Sequence, residues 1–279
     1  MNSFKYYFYY SFTILGIIAL AFILHSCNFD KEINVDLPDY NKQLAVECYL
    51  DPGKPLAAYI SHTSGYFDDL SNPLVSNALV LLHGPDGTDT LYYKPIFDTS
   101  GTKLYNFTNS KLFNPTPGGH YTLEAVDSEK NKLFGEANYL PLPVVDTLYY
   151  TYRKIDSSAS ITVMIKDDSN ANNYYRILMN VDTLENKAKH DALMFDALFN
   201  GQTFPVATSN KFKLNDTVFV RVYNIDKGWF DFITSVRAAE RANGNPFSQP
   251  AVIKSSVREG FGIFTCQSYT LNMLIIKDE

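Results

Sequence analysis

The sequence predicts a mainly β protein: an N-terminal immunoglobulin-like β-sandwich over residues 42–140, then a second β-rich domain over 141–279 carrying one amphipathic helix. Three observations predict it. Short runs of alternating apolar and polar residues recur between turn signals from Lys42 onward, the mark of half-buried strands. The chain holds 20 Tyr and 20 Phe but only 19% charged residues, a composition rich in strand formers. A helical period of apolar residues stands out once, near Trp229.

The elements follow in order. Lys42 to Leu50 alternates as a first strand, with Asp51-Pro52-Gly53-Lys54-Pro55 as its turn. Leu56 to Thr63 is the second strand. After a polar loop from Ser64 to Pro73, Leu74 to His83 and Asp89 to Tyr93 form a hairpin around Gly84-Pro85-Asp86-Gly87. Lys103 to Phe107, His120 to Asp127 and Leu133 to Tyr139 complete seven strands at sandwich-like spacing. Pro141-Leu142-Pro143 is a stiff joint and marks the domain boundary.

Beyond the joint, Thr147 to Arg153, Ser160 to Lys166, Tyr174 to Val181, Lys211 to Leu214, Asp216 to Ile225 and Thr265 to Lys277 read as strands. Asp191 to Phe199 reads as irregular, a short helix or a loop. A helix is predicted over 229–243. Trp229, Phe232, Ile233, Val236 and Ala239 share one face, Asp226 is placed to cap the start, and Asn243-Gly244-Asn245-Pro246 ends it. Trp229 is expected to be a buried anchor of that helix.

The first residues are organised differently. Lys5, an apolar run ending at Leu24, and His25-Ser26-Cys27 have the layout of a bacterial lipoprotein signal peptide, predicted over 1–26, with Cys27 as the lipidated residue. The alternative is an ordinary membrane anchor, since Tyr6 to Leu24 is nearly long enough to span a bilayer. Residues 27–41 read as an acidic, solvated tether. Lipid attachment would hold the protein at a membrane, with each buried methylene contributing about 0.8 kcal/mol.

With Cys27 assigned to lipidation, Cys48 and Cys266 remain. They are a candidate disulfide in an oxidising compartment, and two buried free thiols are the alternative. A net charge of −6 argues against a nucleic-acid partner. No Cys-x-x-Cys or His-x-His spacing points to a metal, and no cofactor motif occurs. Gly260-Phe261-Gly262 has no following Lys-Ser, so it reads as a bulge or a close backbone approach rather than a phosphate loop.

No catalytic residues are predicted. Asp68-Asp69 and Asp167-Asp168 are adjacent carboxylates that suit turns, and Ser61-His62 with His120 lacks a nucleophile elbow. The pairs Tyr92-Tyr93, Tyr149-Tyr150 and Tyr174-Tyr175 are each expected to place one ring inward and one outward.

Several motifs in sequence order resemble a known family. They are the lipobox, Ile33-Asn34-Val35-Asp36-Leu37-Pro38, Leu44 to Leu50, Gly53-Lys54-Pro55, Tyr66-Phe67-Asp68, Asn77-Ala78-Leu79-Val80 with Asp86-Gly87, Asn245 to Pro250, and Gly260 to Phe264. Together they are similar to the Bacteroidota lipoproteins grouped as domain of unknown function 4249. Phe261 between its glycines and Cys48 depart from the usual pattern. The resemblance implies an outer-membrane lipoprotein in the company of a TonB-dependent receptor, and the acidic residues just after Cys27 resemble the signal that sends such lipoproteins to the cell surface, a solvated linker facing the periplasm being the alternative. The expected function is that of a non-enzymatic accessory subunit of such a transporter, assisting nutrient capture. The alternatives are a surface glycan-binding or adhesion module, and a hydrolase whose site is assembled from distant residues.

Overall fold

The structure is a computed structural model that describes residues 41–65, 74–98, 103–183, 188–209, 211–243, 249 and 251–278. Cys27 and the leader before it, the Tyr66-Phe67-Asp68 motif with Asp69, and Asn245 to Ser248 lie outside the described residues.

The first half forms the seven predicted strands: β1 (Leu44–Leu50), β2 (Pro55–His62), β3 (Ala78–Gly84), β4 (Gly87–Phe97), β5 (Leu104–Leu112), β6 (His120–Asp127) and β7 (Lys132–Asn138). The alternation seen in the sequence becomes two faces. Along β1, Leu44, Val46, Cys48 and Leu50 are buried in the core, whereas Ala45, Glu47 and Tyr49 face the other way.

β4 is long and serves two partners. Its start pairs with β3 and its end with β5, and the register slips between Tyr93 and Ile96, around Pro95. Proline has no N–H to donate, so an irregularity is where a strand accommodates it. Tyr92 and Tyr93, paired in regular register ahead of the slip, are both exposed, against the expectation of one ring inward, and the Tyr93 ring packs edge-on to Phe107.

The second half contributes β8 (Val144–Arg153), β9 (Ser158–Lys166), β10 (Tyr174–Val181), β11 (His190–Phe195), β12 (Thr203–Ala207), β13 (Thr217–Ile225), β14 (Val257–Arg258), β15 (Phe261–Cys266) and β16 (Ser268–Ile275), with helix α1 (Lys227–Ala242) after β13. Three readings are corrected here. Residues 191–199, expected to be irregular, belong largely to β11, which pairs with β10 and ends in a single 3-10 turn. Lys211 to Leu214 is no strand; Phe212 makes one isolated bridge to Ala159. Thr203–Ala207 is a strand despite Pro205, because β12 lies at a sheet edge where a missing donor costs no ladder bond.

A fourth correction has the largest structural consequence. Thr265 to Lys277 is two strands in two sheets. β15 lies parallel to β1, with Cys48 opposite Phe264, and β16 pairs antiparallel with β13. The chain changes sheet at Gln267, whose N–H bonds Leu50 O at 2.9 Å. Fully buried Ser268 then donates to Leu140 O at 2.8 Å, beside the predicted proline joint.

The result is a nine-stranded sheet in the order β14-β7-β6-β3-β4-β5-β2-β1-β15, folded around one core. Four-stranded β11-β10-β13-β16 and three-stranded β12-β9-β8 enclose a second core. Residues 140 and 141 lie between β7 and β8, and Val257–Cys266 crosses back to complete the first sheet, so Asn41–Glu279 forms one compact unit.

Two glycines permit that return. At Gly262, φ is +113° and a Cβ would stand 1.9 Å from Val46 O, so the backbones of β1 and β15 meet where no side chain fits. This is the close approach predicted for Gly260-Phe261-Gly262. On β7, a Cβ at Gly135 would fall 2.7 Å from Phe264 Cβ, so a bare backbone lets the Phe264 ring pack across the fold.

Helix α1 forms as predicted within a residue or two at each end. Asp226 caps it by accepting from Trp229 N at 2.7 Å, and its second oxygen accepts from Thr265 Oγ1 at 2.8 Å, fixing the helix start to β15. Trp229 is 2% exposed and packs with Tyr223, Ile225 and Ile263, so the helix bridges the outer face of the four-stranded sheet and β15.

Candidate functional site

The outward faces of the two larger sheets, which look solvent-facing in sequence, turn toward each other beside α1. They enclose a cleft of about 910 Å³. One wall carries Glu47 and Tyr49 of β1 with Tyr105 of β5, the other Arg176 of β10 with Arg221 and Tyr223 of β13. Trp229, Ile233 and Arg237 of α1 close one side, and Ile96 and Phe97 stand at the lip, Phe97 being 66% exposed.

The lining is charged but mostly self-compensated. Asp191 receives Arg176 side-on, through Nε at 3.1 Å and Nη2 at 2.9 Å, and also pairs with Arg237 Nη2 at 2.7 Å. Burial pushes the Asp191 carboxyl up; the two guanidiniums more than reverse this and hold it below the usual carboxylate range. Lys103 pairs with Glu47 at 2.9 Å and lies 4.8 Å from the Tyr49 ring centroid. Burial, then the charge of Glu47, lifts the Tyr49 phenol well above its ordinary value. Tyr105, surrounded by Glu47, Asp98 and Asp51, is pushed up to about 12, chiefly by burial.

Arg221 is treated differently. Its Nη1 donates to Tyr223 Oη at 3.1 Å, and its guanidinium lies 4.5 Å from the Tyr269 ring centroid and 5.9 Å from that of Tyr223. It makes no ion pair among the described residues. Asp51 accepts from Tyr269 Oη at 3.0 Å; burial raises its carboxyl, and the Tyr269 bond and the Arg221 charge only partly offset that. Arg221 Nε and Trp229 Nε1 are both buried with no hydrogen-bond partner. Tyr223 and Tyr49 each sit 5.6 Å, centroid to centroid, from Trp229. An unpartnered buried donor is uncommon and calls for an explanation.

The residues singled out in sequence lie elsewhere. Cys48 and Cys266 are both buried free thiols in this structure. They sit on adjacent parallel strands, but Cys48 faces Phe264 and Cys266 faces Leu50, so the pair is diagonal. Diagonal neighbours stand about 7–8 Å apart, beyond usual disulfide geometry. Burial pushes the Cys48 thiol up to about 12, with Glu47 adding to it. Ser61 and His62 alternate on β2; His62 Nε2 meets Asp127 Oδ2 at 2.8 Å, and Asp127 also accepts two backbone N–H groups of its own turn. His120 Nδ1 meets Asn138 Oδ1 at 2.8 Å. Asp167 is held by Tyr175 Oη and Gly201 N, each at 2.7 Å. These are structural bonds that bring no nucleophile to a base.

Of the cleft residues, the sequence marks Trp229, Phe232, Ile233 and Val236 as the apolar face of the helix and Lys54-Pro55 as part of a family motif; none reads there as a ligand contact. Among the described residues no group of three or more His, Cys, Asp or Glu is arranged to hold a metal ion.

Comparison with known proteins gives a matching family model, described as Domain of unknown function (DUF4249), over residues 30–271. No curated protein matches the chain. Among solved structures, a cytokine receptor complex matches with 12% identity, covering 64% of this chain and 82% of that one at a TM-score of 0.22. A two-domain fibronectin type III segment from chicken tenascin gives 11% identity, 66% and 91% coverage, and a TM-score of 0.21. Elastase-activated Escherichia coli alpha-2-macroglobulin gives 13% identity and a TM-score of 0.22; the match covers 67% of this chain and 19% of that one.

Proposed function

The chain belongs to the DUF4249 family, and from that premise we propose that it is a lipid-anchored outer-membrane lipoprotein, a non-enzymatic accessory subunit of a TonB-dependent transporter that assists nutrient capture. The observation that carries the capture role is the cleft between the two sheets. Its size is within the range of small-molecule sites, and it combines aromatic and aliphatic side chains with charged groups, several of them fixed by partners within the protein. Three of its five carboxylates serve as acceptors for side chains of the protein: Glu47 for Lys103, Asp51 for Tyr269, Asp191 for two arginines. That is the organisation of a site that orients a ligand. Anchoring through Cys27 and the association with a transporter rest on the leader and on the family resemblance.

Affinity purification of the tagged, membrane-extracted protein from its host, with mass spectrometry of what remains bound, tests the role. A stoichiometric TonB-dependent barrel supports it, and recovery of the lipoprotein alone sinks it. A second reading, a surface glycan-binding module, is favoured by one observation: Tyr92 and Phe97 of β4 are each 66% exposed, and Tyr93 46%. Tyrosine and phenylalanine rings on a strand surface offer flat stacking faces. Glycan arrays probed with wild type and Tyr92→Ala distinguish it, since only this reading requires Tyr92 for binding.

A further inference from the structure

Three arginines line the cleft, and their states differ. Arg176 and Arg237 share the Asp191 carboxylate in direct ion pairs, whereas Arg221 bonds only a phenol, packs on aromatic rings and feels the Asp51 carboxylate through space without a direct ion pair. Asp191 uses the Nε and Nη2 edge of Arg176. On Arg221 that same edge is left over, because its hydrogen bond to Tyr223 is made by Nη1 and its Nε has no partner. A guanidinium edge of this kind matches the two oxygens of a carboxylate or phosphate.

Trp229 Nε1 is the second unpartnered donor in the lining, on a side chain only 2% exposed. Both residues pack on Tyr223, which lies between them. Tyr223 Oη accepts from Arg221, so its own proton remains for an acceptor as well. Indole, phenol and guanidinium are all donors here, and the complement of a donor set is an acceptor-rich group.

We propose that the cleft binds a solute bearing an oxyanion, carboxylate or phosphate, and that the Nε/Nη2 edge of Arg221 receives it with Trp229 and Tyr223 beside it. The inference deepens the capture role and rests on this cleft being the capture site. Arg221 Nε is shielded from water, so entry moves the rings that cover it. Satisfying the buried donors favours that movement. Phe97 and Ile96 at the lip supply apolar contact for the body of the solute.

The chain has one tryptophan, so its fluorescence and its indole N–H resonance report on Trp229 alone. The full-length protein in detergent is titrated at constant ionic strength with sodium glucuronate, inorganic phosphate and glucose. The expected result is a saturable shift with glucuronate or phosphate and none with glucose; which anion acts identifies the oxyanion. Arg221→Gln weakens binding by roughly tenfold or more, and Arg221→Lys, which keeps the charge but loses the fork, weakens it as well. Lys111→Gln, outside the cleft, leaves it unchanged. Where Arg221→Gln does not fold, Arg221→Lys decides. The assignment is overturned if both anions leave Trp229 unmoved, if glucose acts as strongly, or if the folded Arg221 variants bind like wild type. A co-purifying barrel with no anion response removes the ligand and keeps the transporter role; an anion response without a barrel does the reverse.

Discussion

Tyr269 donates its hydroxyl proton to Asp51 Oδ1 at 3.0 Å, across 218 residues of chain. The bond ties the turn after β1 to the strand that follows the change of sheet at Gln267. It therefore crosslinks the two halves at the edge of the cleft.

Tyr269→Phe leaves the buried Asp51 carboxylate without that donor and is expected to cost about 1–3 kcal/mol at neutral pH by urea unfolding. Asp51 sits above its ordinary value when folded, chiefly because it is buried. Its contribution to stability is thus fully present below about pH 3.9 and is lost as pH rises through the folded value. The substitution enlarges that loss, so the gap between variant and wild type should shrink on acidification. A constant gap would show that the bond does not serve the charged form.

Asp191 behaves in the opposite sense. Although burial raises it, Arg176 and Arg237 hold it below the ordinary carboxylate range. The stability it contributes is present above about pH 3.9 and is lost as pH falls through its lower folded value. Asp191→Asn leaves two guanidiniums facing each other and is expected to destabilise by about 2 kcal/mol at pH 7, the pair being only partly buried. Denaturant midpoints measured from pH 7 to pH 3 should converge.

Trp229 separates packing from hydrogen bonding. Trp229→Ala removes the largest fully buried side chain and should cost about 3–5 kcal/mol. Trp229→Phe keeps an aromatic ring and deletes an N–H that has no acceptor, so about 1–2 kcal/mol is expected. Equal losses by circular dichroism-monitored unfolding would mean that the indole N–H is bonded after all.

Gly262→Ala places a methyl group against Val46 O at a positive φ. The parallel pairing of β1 and β15 cannot keep its register, and a loss of about 3 kcal/mol or more is expected, seen as a lowered Tm or as insoluble protein. A variant of wild-type Tm would rule out the close approach.

Cys48 and Cys266 should resist alkylation in the folded protein and both react after denaturation, with no change in Tm on adding reductant. Intact mass spectrometry after iodoacetamide treatment reads this directly. Finding the two cysteines in one disulfide-linked peptide would contradict the diagonal placement.

Local pattern alone reveals the elements whose partners are near in sequence. β1 to β7 are bounded by turn chemistry and alternate against one core, and α1 announces itself through the Asp226 cap and the 3.6-residue period of its apolar face. β11 and β12 are illegible at that level, because edge strands tolerate polar residues and proline and their pairing is decided by β10 and β9. Thr265 to Lys277 reads as one strand because its apolar pattern continues through Gln267. Only the competition between two sheets for its two halves breaks it.

The cleft is hidden for a related reason. Glu47, Tyr49, Arg176 and Arg221 occupy the non-core positions of alternating strands, where sequence reads solvent. Their chemistry is local, but their meeting depends on β15 lying parallel to β1 and β16 joining β13, contacts more than two hundred and about fifty residues apart in the chain. Period and turn residues are properties of neighbouring side chains and survive in the sequence. Which outer faces confront each other, and which arginine is left without a direct ion pair, is settled by long-range pairing, for which no local pattern stands.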